Sequence, residues 1–289
     1  MIQPLFEHRM KLAGYETRVL ELEGDGPPIL MFHGYADSAD TWRQTLALLG
    51  RRGRRAVAVD LPGFGMADQL EPGAILPQLD AFADDALRYV SGPPRRREQV
   101  LVVGNSLGGC ISIRLAERQS PILTGVIPVA PAGFEMSRIV ALVERDPLLH
   151  SLLAFPAPVP SPVMRTAVSQ LYRQLAFHPG ARIDPGVVST FTWHVRRRAT
   201  AARYLETAHR LAAELHEPFA LERIRCPMLL VWGTKDRLLS HQAGAKIAEA
   251  VADATLVLLE NVGHCPQVEV PERLTELLMQ FGQPAAKAA

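Results

Sequence analysis

Short apolar runs rich in β-branched residues alternate with longer segments of helical spacing along most of the chain. This alternation restricts the chain to an α/β architecture, a mostly parallel sheet with helices crossing over its faces. The runs that read as strands are Thr17 to Glu23, Ile29 to Phe32, Ala56 to Asp60, Val100 to Gly104, Gly125 to Ala130, Met228 to Trp232 and Thr255 to Leu259. Leu101-Val102-Val103 and Leu229-Leu230-Val231-Trp232 are uninterrupted, as expected of central strands covered on both sides. Helical spacing marks Thr41 to Leu49, Gln78 to Val90, Leu107 to Arg118, His241 to Ala250 and Pro271 to Phe281. At 289 residues the chain can bury about three quarters of its unfolded surface, so it needs no disulfide or metal to fold.

One stretch departs from this rhythm. From 132 to 221 no strand pattern appears, only helix-like segments and a proline-dense piece, Pro147 to Val163. There Pro147, Pro156, Pro158, Pro160 and Pro162 stand among leucines; proline blocks regular helix and stiffens the chain, giving a rigid apolar loop. The expected organisation is a core of residues 1–131 and 222–289, with residues 132–221 inserted between two core strands as a helical cap. Such a cap lies over the carboxyl ends of the strands, where open α/β sheets bind ligands. A mere surface excursion would leave its apolar side chains exposed.

Charge narrows the partners. Lys and Arg number 31 against 30 Asp and Glu, a formal net charge of +1, which gives no electrostatic case for nucleic acid or an anionic membrane. The arginine clusters at 51–55, 95–97 and 196–198 are scattered, and they read as solvated surface. No run approaches the ~18 apolar residues of a membrane helix, and the first residues have no signal-peptide core. Cys110, Cys226 and Cys265 form neither a metal-site spacing nor an even disulfide set, which fits a reducing compartment. A cytoplasmic protein with a small-molecule substrate, no cofactor and no metal is expected; the sequence does not indicate an oligomeric state.

Gly104-Asn105-Ser106-Leu107-Gly108-Gly109 follows a strongly apolar run and opens a helix. A serine on so sharp a strand-to-helix turn is lifted clear of the sheet, and small residues two positions either side avoid clashes. A serine hydroxyl becomes a useful nucleophile only when a base takes its proton. His264, in the loop between the last strand and the last helix, lies at the same sheet edge; its rival His241 falls at a helix start and reads as surface or cap. His33 precedes Gly34 at a strand end and belongs to another role. An acid must hold the base in one tautomer. Asp236 follows the strand ending at Trp232 and is preferred over Glu135, which follows the strand ending near Ala130. Asp60 also ends a strand, but Leu61-Pro62-Gly63-Phe64-Gly65 after it reads as a structural turn. The oxyanion needs two preorganised donors, and the amides of Leu107 and Tyr35 are the candidates. Ser38 and Trp42 read as buttresses of the Tyr35 loop. Gly34, Asn105 and Trp193 are candidate substrate contacts.

Together, His33-Gly34 after a strand, Asp60 to Gly65, the elbow at Ser106, Gly233-Thr234-Lys235-Asp236 and Gly263-His264 resemble the α/β-hydrolase superfamily, in the chain order Ser, Asp, His. The resemblance spans nearly the whole chain apart from the cap. It implies an eight-stranded, mostly parallel sheet, a metal-free triad, and a cap between the sixth and seventh strands. Dehalogenases and epoxide hydrolases of this fold carry aspartate at the elbow, so Ser106 leaves esterases, lipases, lactonases, amidases, cofactor-free perhydrolases and carbon–carbon bond hydrolases of aromatic ring cleavage. Asn105 resembles the last group. Tyr35-Ala36-Asp37 and Cys265 depart from it, in place of its proline/glycine-rich loop and its tryptophan after the histidine. Cleavage of a carboxylic ester with an apolar acyl or aryl group is the leading expectation, and carbon–carbon cleavage of a dienoate the alternative.

Overall fold

The computed structural model describes residues 4–134, 161–181, 183, 198–216 and 218–281. Eight strands form one sheet: β1 (Leu5–Leu12), β2 (Tyr15–Leu22), β3 (Asp25–Phe32), β4 (Arg54–Val59), β5 (Val100–Asn105), β6 (Leu123–Val129), β7 (Met228–Gly233) and β8 (Ala254–Leu259). Their order is β1-β2-β4-β3-β5-β6-β7-β8. β1 and β2 run antiparallel to their neighbours, and all pairs from β4 to β8 are parallel. Helices α1 (Arg43–Arg51), α2 (Ile75–Ser91), α3 (Leu107–Glu117), α6 (Gln242–Ala250) and α8 (Pro271–Gln280) alternate with the strands; α4 (Ser161–Ala176) and α5 (Arg198–Glu214) lie between β6 and β7, and the short α7 (Pro266–Glu269) precedes α8.

The expected mostly parallel, eight-stranded sheet is present, and all seven strands and five helices read from spacing occur within a few residues of their expected limits. The pattern missed β1. Charged residues occupy Glu7, Arg9 and Lys11, and the strand is an edge with most of its length half-exposed, so no apolar run marks it. It joins β2 through Ala13-Gly14, both at positive φ (47° and 93°), the geometry of a tight two-residue hairpin. Between β6 and β7 the described residues hold α4 and α5 and no strand. The proline-dense piece lies almost wholly outside the described residues.

Strand alternation builds two cores. Leu30, Phe32, Val57, Val59, Val102, Leu230 and Trp232 pack with Phe82, Ile111 and Ile247 on the face covered by α2, α3 and α6. The intervening Ile29, Met31, Ala56, Ala58, Leu101, Val103 and Val231 pack with Leu46, Leu49, Leu274 and Leu278 of α1 and α8 on the other. A one-residue slip would exchange these faces, so burial on both sides pins the register. After β3 the chain builds β4 on one side of it and then β5 on the other. The crevice at that switch point, beyond the carboxyl ends of β3 and β5, is where such sheets take ligands.

Candidate active site

β5 passes into α3 through Ser106, whose backbone sits at φ 54°, ψ −112°. A non-glycine residue there carries roughly 1–3 kcal/mol of strain, which the surroundings must hold in place. The Ser106 amide donates to the Val129 carbonyl (2.9 Å), and the Ser106 carbonyl accepts from Cys110 (2.9 Å) and Ala132 (3.0 Å). Gly104 is required by close approach: a Cβ there would run into the Gly108 carbonyl and come within 2.6 Å of Ser112 Oγ. Leu107 is the first residue of α3, so its amide has no acceptor within the helix.

Asp236 follows β7 and His264 follows β8. Asp236 Oδ2 accepts from His264 Nδ1 at 2.8 Å and from Trp232 Nε1 at 3.1 Å. Its Oδ1 accepts from the amides of Leu238 (2.8 Å) and Leu239 (3.0 Å). The Asp236 side chain is fully buried and that of His264 is 6% exposed, so the pair is shielded from competing water. With Nδ1 donating, Nε2 of a neutral His264 is the acceptor nitrogen. The Trp232 contact escaped the sequence reading. Its only signal is an indole four residues before the acid, at the end of an apolar strand.

The His264 loop is fastened from several sides. Asn105 Nδ2 donates to the His264 carbonyl (2.9 Å) and the Val129 carbonyl (3.2 Å), while Asn105 Oδ1 accepts from Gln267 Nε2 (3.1 Å). The residue before Ser106 thus ties the elbow to the histidine loop. Glu269 Oε1 accepts from Gly263 N (2.9 Å) and Oε2 from His178 N (2.9 Å); the His264 amide donates to the Ala176 carbonyl at the end of α4 (2.7 Å). Burial raises the Glu269 carboxyl above its usual range, offset by these amide donors.

Beyond β3, His33 Nε2 accepts from Leu61 N (2.8 Å), which leaves the proton on Nδ1, 2.7 Å from the Gly34 carbonyl. Gly34 lies against the elbow: a Cβ there would meet Ser106 Cβ at 3.3 Å and Asn105 Oδ1 at 3.4 Å. The Tyr35 hydroxyl donates to the Tyr204 carbonyl of α5, and its ring meets Phe64 edge-on at 5.2 Å. Ser38 and Trp42 are buried beneath this loop. Asp60, whose surroundings read as a structural turn, accepts from the amides of Ala39 (2.6 Å) and Met66 (2.7 Å) and from Arg18 Nε (3.0 Å). Asp37 is buried, and burial pushes its carboxyl well above the usual range despite hydrogen bonds from the Ser38 amide and the Thr41 hydroxyl.

Ser106 and His264 line one cavity of about 380 Å³, together with Gly34, Tyr35, Asn105 and Tyr172. Ser106, Tyr35 and Leu107 also line a second, of about 320 Å³, walled by Ala208, Leu211 and Leu215 from the segment between β6 and β7. Ser106, Tyr35, Leu107, Gly34, Asn105 and His264 are thus gathered at one sheet edge, with Asp236 behind His264. His241, the rival base, stands at the start of α6 and is half-buried. Glu135 and Trp193 lie outside the described residues, as does the 196–198 arginine cluster apart from the backbone of Arg198. Arg95, Arg96 and Arg97 are exposed, and no helix among the described residues is long and apolar enough to cross a membrane.

Known proteins resemble the chain over most of its length. The chain is 22% identical over 284 residues to 2-hydroxy-6-oxo-6-(2'-aminophenyl)hexa-2,4-dienoic acid hydrolase of Metapseudomonas resinovorans, covering 95% of this chain and 90% of that one. It is 25% identical over 267 residues to monoacylglycerol lipase ABHD6 of Homo sapiens, covering 89% and 76%. Among solved structures, a bacterial membrane phospholipase A superposes with a TM-score of 0.76 at 23% identity, over 96% of this chain and 85% of that one. A dienoic acid hydrolase and a monoacylglycerol lipase thus stand at similar identity to the chain. The model of the alpha/beta hydrolase family matches residues 29–277, and the chain belongs to that family.

Proposed function

We propose that the protein hydrolyses carboxylic esters, with Ser106 as nucleophile, His264 as its base and Asp236 as the acid that orients the base. The observation that carries this reading is the buried 2.8 Å Asp236–His264 pair beside the strained Ser106, with His264 and Ser106 on the wall of one cavity. His264 takes the Ser106 proton as Oγ attacks the ester carbonyl, and Asp236 holds the resulting imidazolium. The amides of Leu107 and Tyr35 receive the oxyanion, each such donor being worth about 3 kcal/mol in the transition state. The His33 contact to the Gly34 carbonyl supports the second donor, because a trans peptide then points the Tyr35 N–H away from His33. His264 returns its proton to the departing alkoxide, and water clears the acyl-enzyme by the same steps.

Residues 132–221 form the cap in this reading, which the α5 residues on the Ser106 cavity support. Gly34, lacking a side chain, leaves room for substrate beside Ser106, and Asn105 holds the His264 loop at the base of the site. Trp193 is proposed as a cap contact to substrate. Cytoplasmic residence fits the free thiols of Cys110, Cys226 and Cys265. Carbon–carbon cleavage of a dienoate is the second reading, favoured by Asn105 and by the dienoic acid hydrolase that matches 95% of the chain. Esters, lactones and a dienoate ring-cleavage product, assayed with wild type and Ser106→Ala, test both. Ester turnover lost in Ser106→Ala is expected. Turnover of the dienoate alone overturns the ester reading, and turnover of none by folded protein overturns the hydrolase reading.

A further inference from the structure

Ser106 stands where the two cavities meet. Tyr35, Ala132 and Leu239 border both with it, whereas Leu107 belongs to the 320 Å³ cavity and His264 to the 380 Å³ one. On the proposed chemistry, the two halves of an ester are not interchangeable in this space. The departing oxygen must lie within hydrogen-bond reach of His264 to receive its proton. The alcohol half is therefore on the His264 side, and the acyl half, bonded to the same carbon, points the other way.

We infer that the 320 Å³ cavity beneath α5 takes the acyl chain and the 380 Å³ cavity beside His264 takes the alcohol, which makes the substrate class esters of medium-chain acids. This rests on the ester reading above. The acyl cavity is walled mainly by aliphatic side chains, with His216 and with Phe134, whose ring stacks on Phe219 at 4.7 Å. Ala208 and Ala212 stand one turn apart on α5, and Leu215 follows just past its end. The two alanines leave the room that a chain fills. At roughly 30 Å³ per methylene, close to the liquid share of one water, the cavity holds an acyl chain of about ten carbons. The alcohol cavity is lined by Asp37, Tyr172 and Leu238 and is as apolar as the first, so the assignment rests on the position of His264 and not on polarity.

The test crosses two substrate series. p-Nitrophenyl esters from acetate to tetradecanoate vary the acyl half alone, and acetates of alcohols of increasing bulk vary the other. In wild type, kcat/KM is expected to rise about fourfold per methylene, the burial of one CH₂ expressed as a rate ratio, and to level off near ten carbons. Ala208→Trp fills the acyl cavity and is expected to lower the decanoate-to-butyrate ratio by roughly tenfold or more. It should leave the ranking of the acetates as in wild type. Ala208→Met, a milder change, should shift the same ratio in the same direction and guards against a misfolded Trp variant. Leu238→Trp is expected to reorder the acetates and leave the acyl optimum in place. If Ala208 variants reorder the acetates instead, or move neither series, the assignment is overturned. Absence of any ester hydrolysis by folded wild type removes the ester reading itself, and is told apart because no ratio then exists.

Discussion

Asp236 accepts His264 and Trp232 on one oxygen and two backbone amides on the other, so its carboxyl has a single orientation that satisfies every donor. Asparagine cannot reproduce it: either its NH₂ faces the Leu238 and Leu239 amides, or it donates to His264 Nδ1 and leaves the proton on the wrong nitrogen. Asp236→Asn is therefore expected to lower kcat/KM by about 10³–10⁴ while the folded spectrum persists, which steady-state kinetics beside circular dichroism will check. Asp37 offers a second test at this scale. Its folded-state pKa is raised above the ordinary 3.8. Above that ordinary value the unfolded chain sheds a proton that the folded one keeps, so stability falls as pH rises toward the folded pKa. Asp37→Asn removes this dependence, and urea titrations of both proteins from about pH 4 upward should show wild type losing stability relative to the variant.

The elements differ in how legible they were. Strands buried on both faces, such as β5 and β7, announce themselves as continuous apolar runs, and the elbow is marked by glycines that no Cβ could replace. β1 was invisible because an edge strand half in water needs no such run, only the alternation that pairs it with β2. The juxtaposition of Ser106, Asp236 and His264 was readable because each follows a strand at the same sheet edge. The fastening of the histidine loop was not, since Asn105 and Ala176 meet it from 159 and 88 residues away, and only the fold joins them. Glu269→Gln retains one acceptor for two amides from different elements. It is expected to cost about 1–2 kcal/mol of stability and to lower kcat more than it changes KM, measured by chemical denaturation and steady-state kinetics. Glu269→Ala should exceed it in both.

Across the whole molecule, the segment between β6 and β7 is tied to the core at points that touch the site. Glu214, at the end of α5, accepts from the first two amides of α2, Ile75 and Leu76, at 2.7 Å each, while Tyr35 reaches the Tyr204 carbonyl in the same helix. A carboxylate at a helix N-terminus is worth roughly 1 kcal/mol, so Glu214→Ala should lower the thermal midpoint by about 2 °C in a chain this long. KM for long acyl esters should rise more than for acetate, as α5 loosens over the acyl cavity. None of these ties was readable beforehand, because no strand pattern in the sequence marks the segment between β6 and β7. The central claim is that Ser106 is the reacting group of this arrangement. Mass spectrometry of the protein after exposure to a fluorophosphonate tests it most directly. One phosphonyl adduct on the Ser106 peptide, absent from Ser106→Ala and slowed in His264→Ala, is the predicted result. Folded wild type without an adduct, or with one on another residue, contradicts it.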